Sequence, residues 1–287
     1  MTESYTGVSV LEVSKDIIDQ LYREKEVEIW DITRTYSQNE YLVIKDITGA
    51  SGSVLGRVKG DRIFLLPNGV TANGLKPKNK EQVFALDALL DPTVDCTILT
   101  GAAGVGKSLL AMAAALQLVD QGKYSKIIVS KNMVQTGRGE LGFLPGDLLE
   151  KFMPFNQGVL CNLEYLVGGN KKAVTDLIEQ YRIEFVPMAI VRGSSWHNAV
   201  IITDECQNMN ELEILTLGTR VCAGSKLMML ADFNQIDTKM KRSSCGLYKF
   251  INHEKVKESR MVSSINLIKS ERGELSTLFS QVFGEEV

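Results

Sequence analysis

The chain has 287 residues, enough to bury one sizeable core with a smaller unit beside it, and its formal net charge is −3. That balance excludes a global basic field as the means of holding nucleic acid or an anionic membrane, so any such contact must come from a local patch. No apolar run approaches the roughly 20 residues of a membrane-spanning helix, and Met1-Thr2-Glu3-Ser4 lacks the basic-then-apolar layout of a secretory signal.

In chain order, the first predicted element is a helix over roughly Ser14 to Glu24. From about Glu26 to Leu66 come short β-type runs, "EVEIW", "EYLVIKD", "SVLGRVKG" and "RIFLL", separated by the turn formers "TGASGS" and "KGD". They predict a small helix-plus-β unit that fills residues 1–75 with its linker. The linker, "LPNGVTANGLKPKNKEQ", carries two Asn-Gly pairs and Pro77. Over residues 76–287 apolar strands alternate with helices, which predicts an α/β fold, a parallel sheet with helices on both faces. Strands are expected at Cys96–Thr100, Lys126–Ser130, Ile183–Val186, Ala199–Asp204, Lys226–Ala231 and Ile265–Ile268. The five cysteines are scattered without a CxxC pair, and His197 and His253 lie far apart. Reduced thiols in a cytoplasmic protein, and no zinc site, are the expectation.

Between the first strand of the sheet and its helix stands "TGAAGVGKSLL". Gly101, Gly106, Lys107 and Ser108 fit G-x-x-x-x-G-K-[ST] without a gap. The spacing has a mechanical reason. Glycines let the backbone turn so tightly that the N–H groups of Gly101, Ala102, Ala103, Gly104, Val105 and Gly106 converge on phosphate oxygens. Lys107 would reach the β- and γ-phosphates and the Ser108 hydroxyl would ligate Mg²⁺. The helix beginning near Lys107, with Leu109 in its first turn, adds the positive end of its dipole.

In "NAVIITDECQN" an apolar strand runs into Asp204 and Glu205. This places Asp204 at the carboxyl end of a strand, where ligands sit in open α/β sheets. Asp204 would hold Mg²⁺ through water, and Glu205 would orient and activate the attacking water. A guanine-reading N-K-x-D is absent from the sequence, so ATP is favoured over GTP. "LMMLADFNQID" brings Asp232, Gln235 and Asp237 to the same edge, where Gln235 could sense the γ-phosphate. Upstream, Gln82 opens the helix before the phosphate loop, and its amide offers both a donor and an acceptor to an adenine edge.

With these elements in order, the chain resembles the PhoH-like ATPases, relatives of the superfamily 1 helicases, from Lys76 to about Phe283. The resemblance rests on "KPKNKEQ", "GAAGVGKSLLA", "RGELGFLPGDLLEKFMPF", "VRGSSWHNAVIITDECQNM", "ADFNQID" and "IKSERGELSTLF". Val105, Cys206 and Ala231 depart from that family's usual residues without removing a catalytic group. The longer family form carries a PIN ribonuclease domain. Only some two dozen residues precede the β unit here, so nuclease activity is not expected. The resemblance implies a RecA-like P-loop NTPase fold, ATP hydrolysis with Mg²⁺, and a homohexameric ring. It also implies a transition-state arginine donated in trans: Arg272 in "KSERGEL" is the first choice, Arg242 and Arg192 the alternatives.

The same kinship points to RNA or single-stranded DNA as the partner. Local support comes from "KNMVQTGRGELGF", with Lys131, Arg138 and Phe143, and from "TKMKRSSCG", with Lys239, Lys241 and Arg242. Loops with cations and an aromatic can track a phosphate backbone and stack bases. The alternative is an ATP-driven switch acting on a protein partner without nucleic acid.

Overall fold

The structure is a computed structural model that describes residues 5–29, 35–49, 52–131, 156–236 and 240–271, with positions 273, 275, 278 and 282. The alternation read from residue 76 onward forms a six-stranded, all-parallel sheet. Its strands are β6 (Cys96–Thr100), β7 (Lys126–Lys131), β8 (Ile183–Pro187), β9 (Ala199–Asp204), β10 (Lys226–Ala231) and β11 (Val262–Asn266). They lie in the order β11-β6-β10-β9-β7-β8.

Both faces of this sheet are covered, which is why its strands read as unbroken apolar runs. On one face Leu99, Val129, Val200, Ile202, Met228 and Leu230 pack under α2 (Lys80–Leu90) and α3 (Lys107–Asp120). On the other, Ile98, Ile128, Ile201 and Met229 meet α6 (Glu211–Gly218) and α7 (Gly246–Asn252) through Ile214, Leu217, Leu247 and Ile251. Helix α3 is apolar nearly all round and is buried nearly all round, Ala111 to Leu116 being at most 2% exposed. Two further helices, α4 (Gln157–Leu166) and α5 (Lys171–Gln180), lead into β8, and a short α8 (Glu254–Lys257) follows α7.

The β-rich unit is a five-stranded sheet of its own, ordered β1-β3-β4-β5-β2. It comprises β1 (Val8–Val13), β2 (Glu26–Glu28), β3 (Tyr41–Asp46), β4 (Val54–Lys59) and β5 (Arg62–Leu65), with α1 (Lys15–Glu24) packing Ile18 and Leu21 against it. Strand β1 runs parallel to β3, while the other pairs are antiparallel. Sequence reading missed β1. Ser9 and Glu12 interrupt its apolar residues, and only Leu11 and Val13 of its six are buried, so it shows no continuous apolar run. The last strand was also misplaced. "INLI" is the more apolar stretch, yet β11 is Val262–Asn266, because Ser263 and Ser264 are buried as strand residues.

The two sheets share their packing. Tyr41, Val43 and Leu66 belong to the same apolar cluster as α2 and α3, and Tyr41 stacks on Phe84 with ring centroids 4.9 Å apart. Arg57, 1% exposed, bridges Asp87 at 2.9 Å and Asp91 at 2.7 Å while also donating to Asn39 Oδ1. Asn39 Nδ2 donates in turn to the carbonyls of Arg260 and Val262 beside β11. The Asn266 N–H donates to the Thr6 carbonyl at 2.9 Å. At the start of β10, buried Lys226 donates to the carbonyls of Ala88, Asp91 and Val94, closing the carboxyl end of α2. Among the described residues no helix is long and apolar enough to cross a membrane.

Candidate functional site

Strand β6 ends in the 101–106 loop, and the loop needs its glycines for measurable reasons. Gly101 sits at φ +137°, and a Cβ there would come within 2.1 Å of the Leu267 carbonyl oxygen. Gly106, at φ +98°, is the residue before α3 and lies against the Gln82 amide. The first turn of α3 holds no acidic residue, so its free N–H groups and dipole face whatever the loop encloses uncompensated. Lys107 Nζ folds onto the Gly101 and Ala102 carbonyls, at 2.6 and 3.0 Å. A phosphate would offer that ammonium acceptors of full negative charge in their place.

The carboxyl ends of β6, β7, β9 and β10 enclose a cleft of about 430 Å³. Ala103, Gly104, Gly106, Lys107, Ser108 and Leu109 form its floor; Lys131, Asp204, Glu205, Asp232 and Gln235 line its walls, with Gly158 and Asn162 of α4 opposite. Sequence reading placed Ser108 and Asp204 on one ion, 96 residues apart in the chain. The structure brings them together, with Ser108 Oγ donating to Asp204 Oδ2 at 3.4 Å. Burial, then the neighbouring Glu205 charge, pushes the Asp204 carboxyl above its usual range. Burial likewise raises Asp232. Two carboxylates held uncomfortably beside a hydroxyl and a lysine are a donor set suited to Mg²⁺, which takes oxygen ligands and relieves that repulsion.

Glu205 has left-handed backbone angles (φ 59°, ψ 32°), a conformation costly for this residue type and typical of functional sites. Both its carboxylate oxygens are engaged. Lys131 Nζ lies 3.5 Å from Oε1, and Gln207 Nε2 donates to Oε2 at 2.6 Å. Gln207 is a residue that sequence reasoning quoted but gave no role. It is 1% exposed, accepts the Asp232 N–H at 3.1 Å, and reaches the Gln235 carbonyl at 3.4 Å. One amide therefore ties the end of β9 to the loop after β10. The only signal in the sequence was a polar side chain two residues beyond Glu205.

Gln82 stands behind the phosphate loop. Its Nε2 donates to the Val105 carbonyl at 3.0 Å and its Oε1 accepts the Lys78 N–H at 2.9 Å. The amide expected to face adenine is bound to the chain itself at both ends. Arg192 lies exposed in the 3₁₀ turn Met188–Gly193, outside the cleft lining. Arg242 lies over the Phe233 and Tyr248 rings of its own chain. Arg138, Phe143, Asp237, Lys239 and Arg272 lie outside the described residues.

A doubly covered parallel sheet with a glycine phosphate loop after its second strand, β6, and a paired carboxylate motif two strands away after β9 is an α/β P-loop NTPase. The family model described as "PhoH-like protein" matches residues 74–283. The chain belongs to that family. Protein PhoH2 of Bacillus subtilis is 34% identical over 284 residues, covering 96% of this chain and 64% of that protein. PhoH2 of Mycolicibacterium smegmatis is 29% identical over 287 residues, covering 99% and 64%. A PhoH-like protein of Synechocystis is 36% identical over 143 residues, covering 50% and 43%. This chain thus spans about 64% of the length of the PhoH2 relatives it matches. Among solved structures, the Pif1 helicase of Candida albicans overlaps with a TM-score of 0.37 at 22% identity, over 71% of this chain and 43% of that one.

Proposed function

We propose that the chain is a Mg²⁺-dependent ATPase whose hydrolysis is coupled to binding RNA or single-stranded DNA. The observation that carries this reading is the convergence of Ser108, Asp204 and Glu205 over the phosphate loop. The loop amides and Lys107 bind the phosphates. Ser108 and Asp204 hold Mg²⁺, which when bound supplies positive charge to the phosphate oxygens. Glu205 orients water and accepts its proton once one carboxylate oxygen is released from Lys131 or Gln207. Gln235, at the cleft wall, senses the γ-phosphate. Gln82 serves the base side through its remaining amide hydrogen. Arg272 completes a neighbouring site in a homohexameric ring, and the protein works in the cytoplasm.

The test is phosphate release by the wild type and Glu205→Gln, each with and without single-stranded RNA and DNA. The expected outcome is stimulation of the wild type by one polymer and a loss of about 10²- to 10⁴-fold in the variant. Wild-type turnover that ignores both polymers would end the nucleic-acid reading and favour a switch acting on a protein partner. Undiminished turnover in Glu205→Gln would remove Glu205 from the mechanism.

A further inference from the structure

Beside the nucleotide cleft, on the other flank of the phosphate loop, lies a second cleft of about 250 Å³. Gly101 and Ala102 form one wall, Phe233, Asn234 and Arg242 another, and the segment after β11 the third. Its chemistry differs from that of the first. The Arg242 guanidinium is exposed and lies 5.5 Å from the Phe233 ring centroid and 5.0 Å from that of Tyr248, and these two rings meet edge to face at 5.6 Å. Cation–π contact with two rings holds a guanidinium in place while leaving N–H donors available to a ligand. Among the described residues no carboxylate forms a salt bridge with it. Asn234 adds an exposed amide, and Ile268, 73% exposed, leaves an apolar surface at the rim. Asp232 also borders the cleft, but the N–H of Asn234 occupies its Oδ1 at 3.0 Å.

A preorganised planar cation, an amide and a flat apolar surface within one small cleft match one phosphate and one base. We infer that this cleft seats a nucleotide unit of a single-stranded nucleic acid, with Arg242 on its phosphate and the Phe233–Ile268 side against its base. The inference rests on the nucleic-acid reading above and gives that partner an address. The address explains how a strand could reach the chemistry. Asn234 bonds Asp232, the Asp232 N–H bonds Gln207, and Gln207 bonds Glu205. A strand that shifts the 232–234 turn therefore pulls on the amide that holds Glu205.

The experiment measures binding of labelled oligouridylate and oligothymidylate, each about twelve nucleotides long, by fluorescence anisotropy over a salt series. It compares the full chain with Arg242→Gln, Arg242→Lys and Asn234→Ala. Arg242→Gln should weaken oligonucleotide binding about tenfold and lower the salt slope by about one phosphate contact. Arg242→Lys should keep most of the slope while losing affinity, because an ammonium lacks the planar guanidinium fork. Asn234→Ala, at an exposed position, should lose about threefold. An Arg242→Gln protein that binds within twofold of the wild type, with the same slope, overturns the inference and leaves the nucleic-acid reading standing. ATP affinity, read with a fluorescent analogue, separates the two sources of phosphate. A tenfold loss there with intact oligonucleotide binding would assign the cleft to the mononucleotide and overturn the inference too. A wild type that binds neither oligonucleotide removes both readings.

Discussion

The Arg57 cluster and the Asp204 cluster both place carboxylates below the surface, one at the amino edge of the large sheet and one at the carboxyl edge. Around Arg57, opposite charges touch: Asp87 and Asp91 lie within 2.9 Å of its guanidinium, and Lys59 also bonds Asp91 at 2.9 Å. Burial pushes the Asp91 carboxyl up, but the Thr93 hydroxyl and N–H, Lys59 and Arg57 outweigh it and hold it well below the usual carboxylate range. Around Asp204, like charges are neighbours and the cations stand back, Lys107 bonded to carbonyls and Lys131 3.5 Å from Glu205. There the carboxyl is pushed up instead. The first cluster is electrostatically complete and joins two sheets. The second is electrostatically incomplete, and on the function proposed above a cation and phosphates would complete it.

Breaking the complete cluster should cost the most. Arg57→Ala removes the buried guanidinium that Asp87 and Asp91 share and should destabilise the protein by about 3 kcal/mol, read from urea unfolding. A loss under about 1 kcal/mol would place the join between the sheets in the Tyr41–Phe84 packing instead. Relieving the incomplete cluster should have the opposite sign. Asp204→Asn, in the absence of Mg²⁺ and nucleotide, should raise stability by about 1 kcal/mol while abolishing turnover. Lower stability in that variant would show that the Ser108 contact outweighs the repulsion.

The smallest expected effect depends on pH. Because Asp91 has a folded pKa below its unfolded value, its contribution is complete above about pH 4 and is lost as the pH falls further. The difference between the urea midpoints of the wild type and Asp91→Asn should therefore be constant from about pH 6 to pH 5, begin to narrow below about pH 4, and still be only partly lost at pH 3, because the folded carboxyl titrates well below that. A difference that does not narrow at all between about pH 5 and pH 2 would mean that Asp91 acts through shape and not through charge.

Much of this was legible in the residues. β6, β9 and β10 begin and end where their apolar runs do, since strands buried on both faces have no polar face to blur them. The phosphate loop is a local device, so its spacing alone defines it, and Asp204 follows from its position at a strand end. What was hidden is what depends on distant partners. Gln207 shows its importance only when β9 and β10 lie side by side. Gln82 offered an amide but not its direction. Arg57 reads as a surface cation in a β-run, because the two aspartates that bury it lie 30 and 34 residues later.

The contacts around Gly101 and Asn266 also bear on the order of events during synthesis. Leu267 donates its N–H to Thr100 and packs its carbonyl against Gly101, while Asn266 bonds Thr6 near the other end of the chain. The 101–106 loop is thus braced by residues made some 160 positions later, and closing so long a span is slow. A nascent chain halted before β11 would carry every letter of the phosphate motif and still lack its brace. On the function proposed above, nucleotide binding would then report that β11 has docked, and a ribosome-bound fragment lacking it would compete poorly for nucleotide.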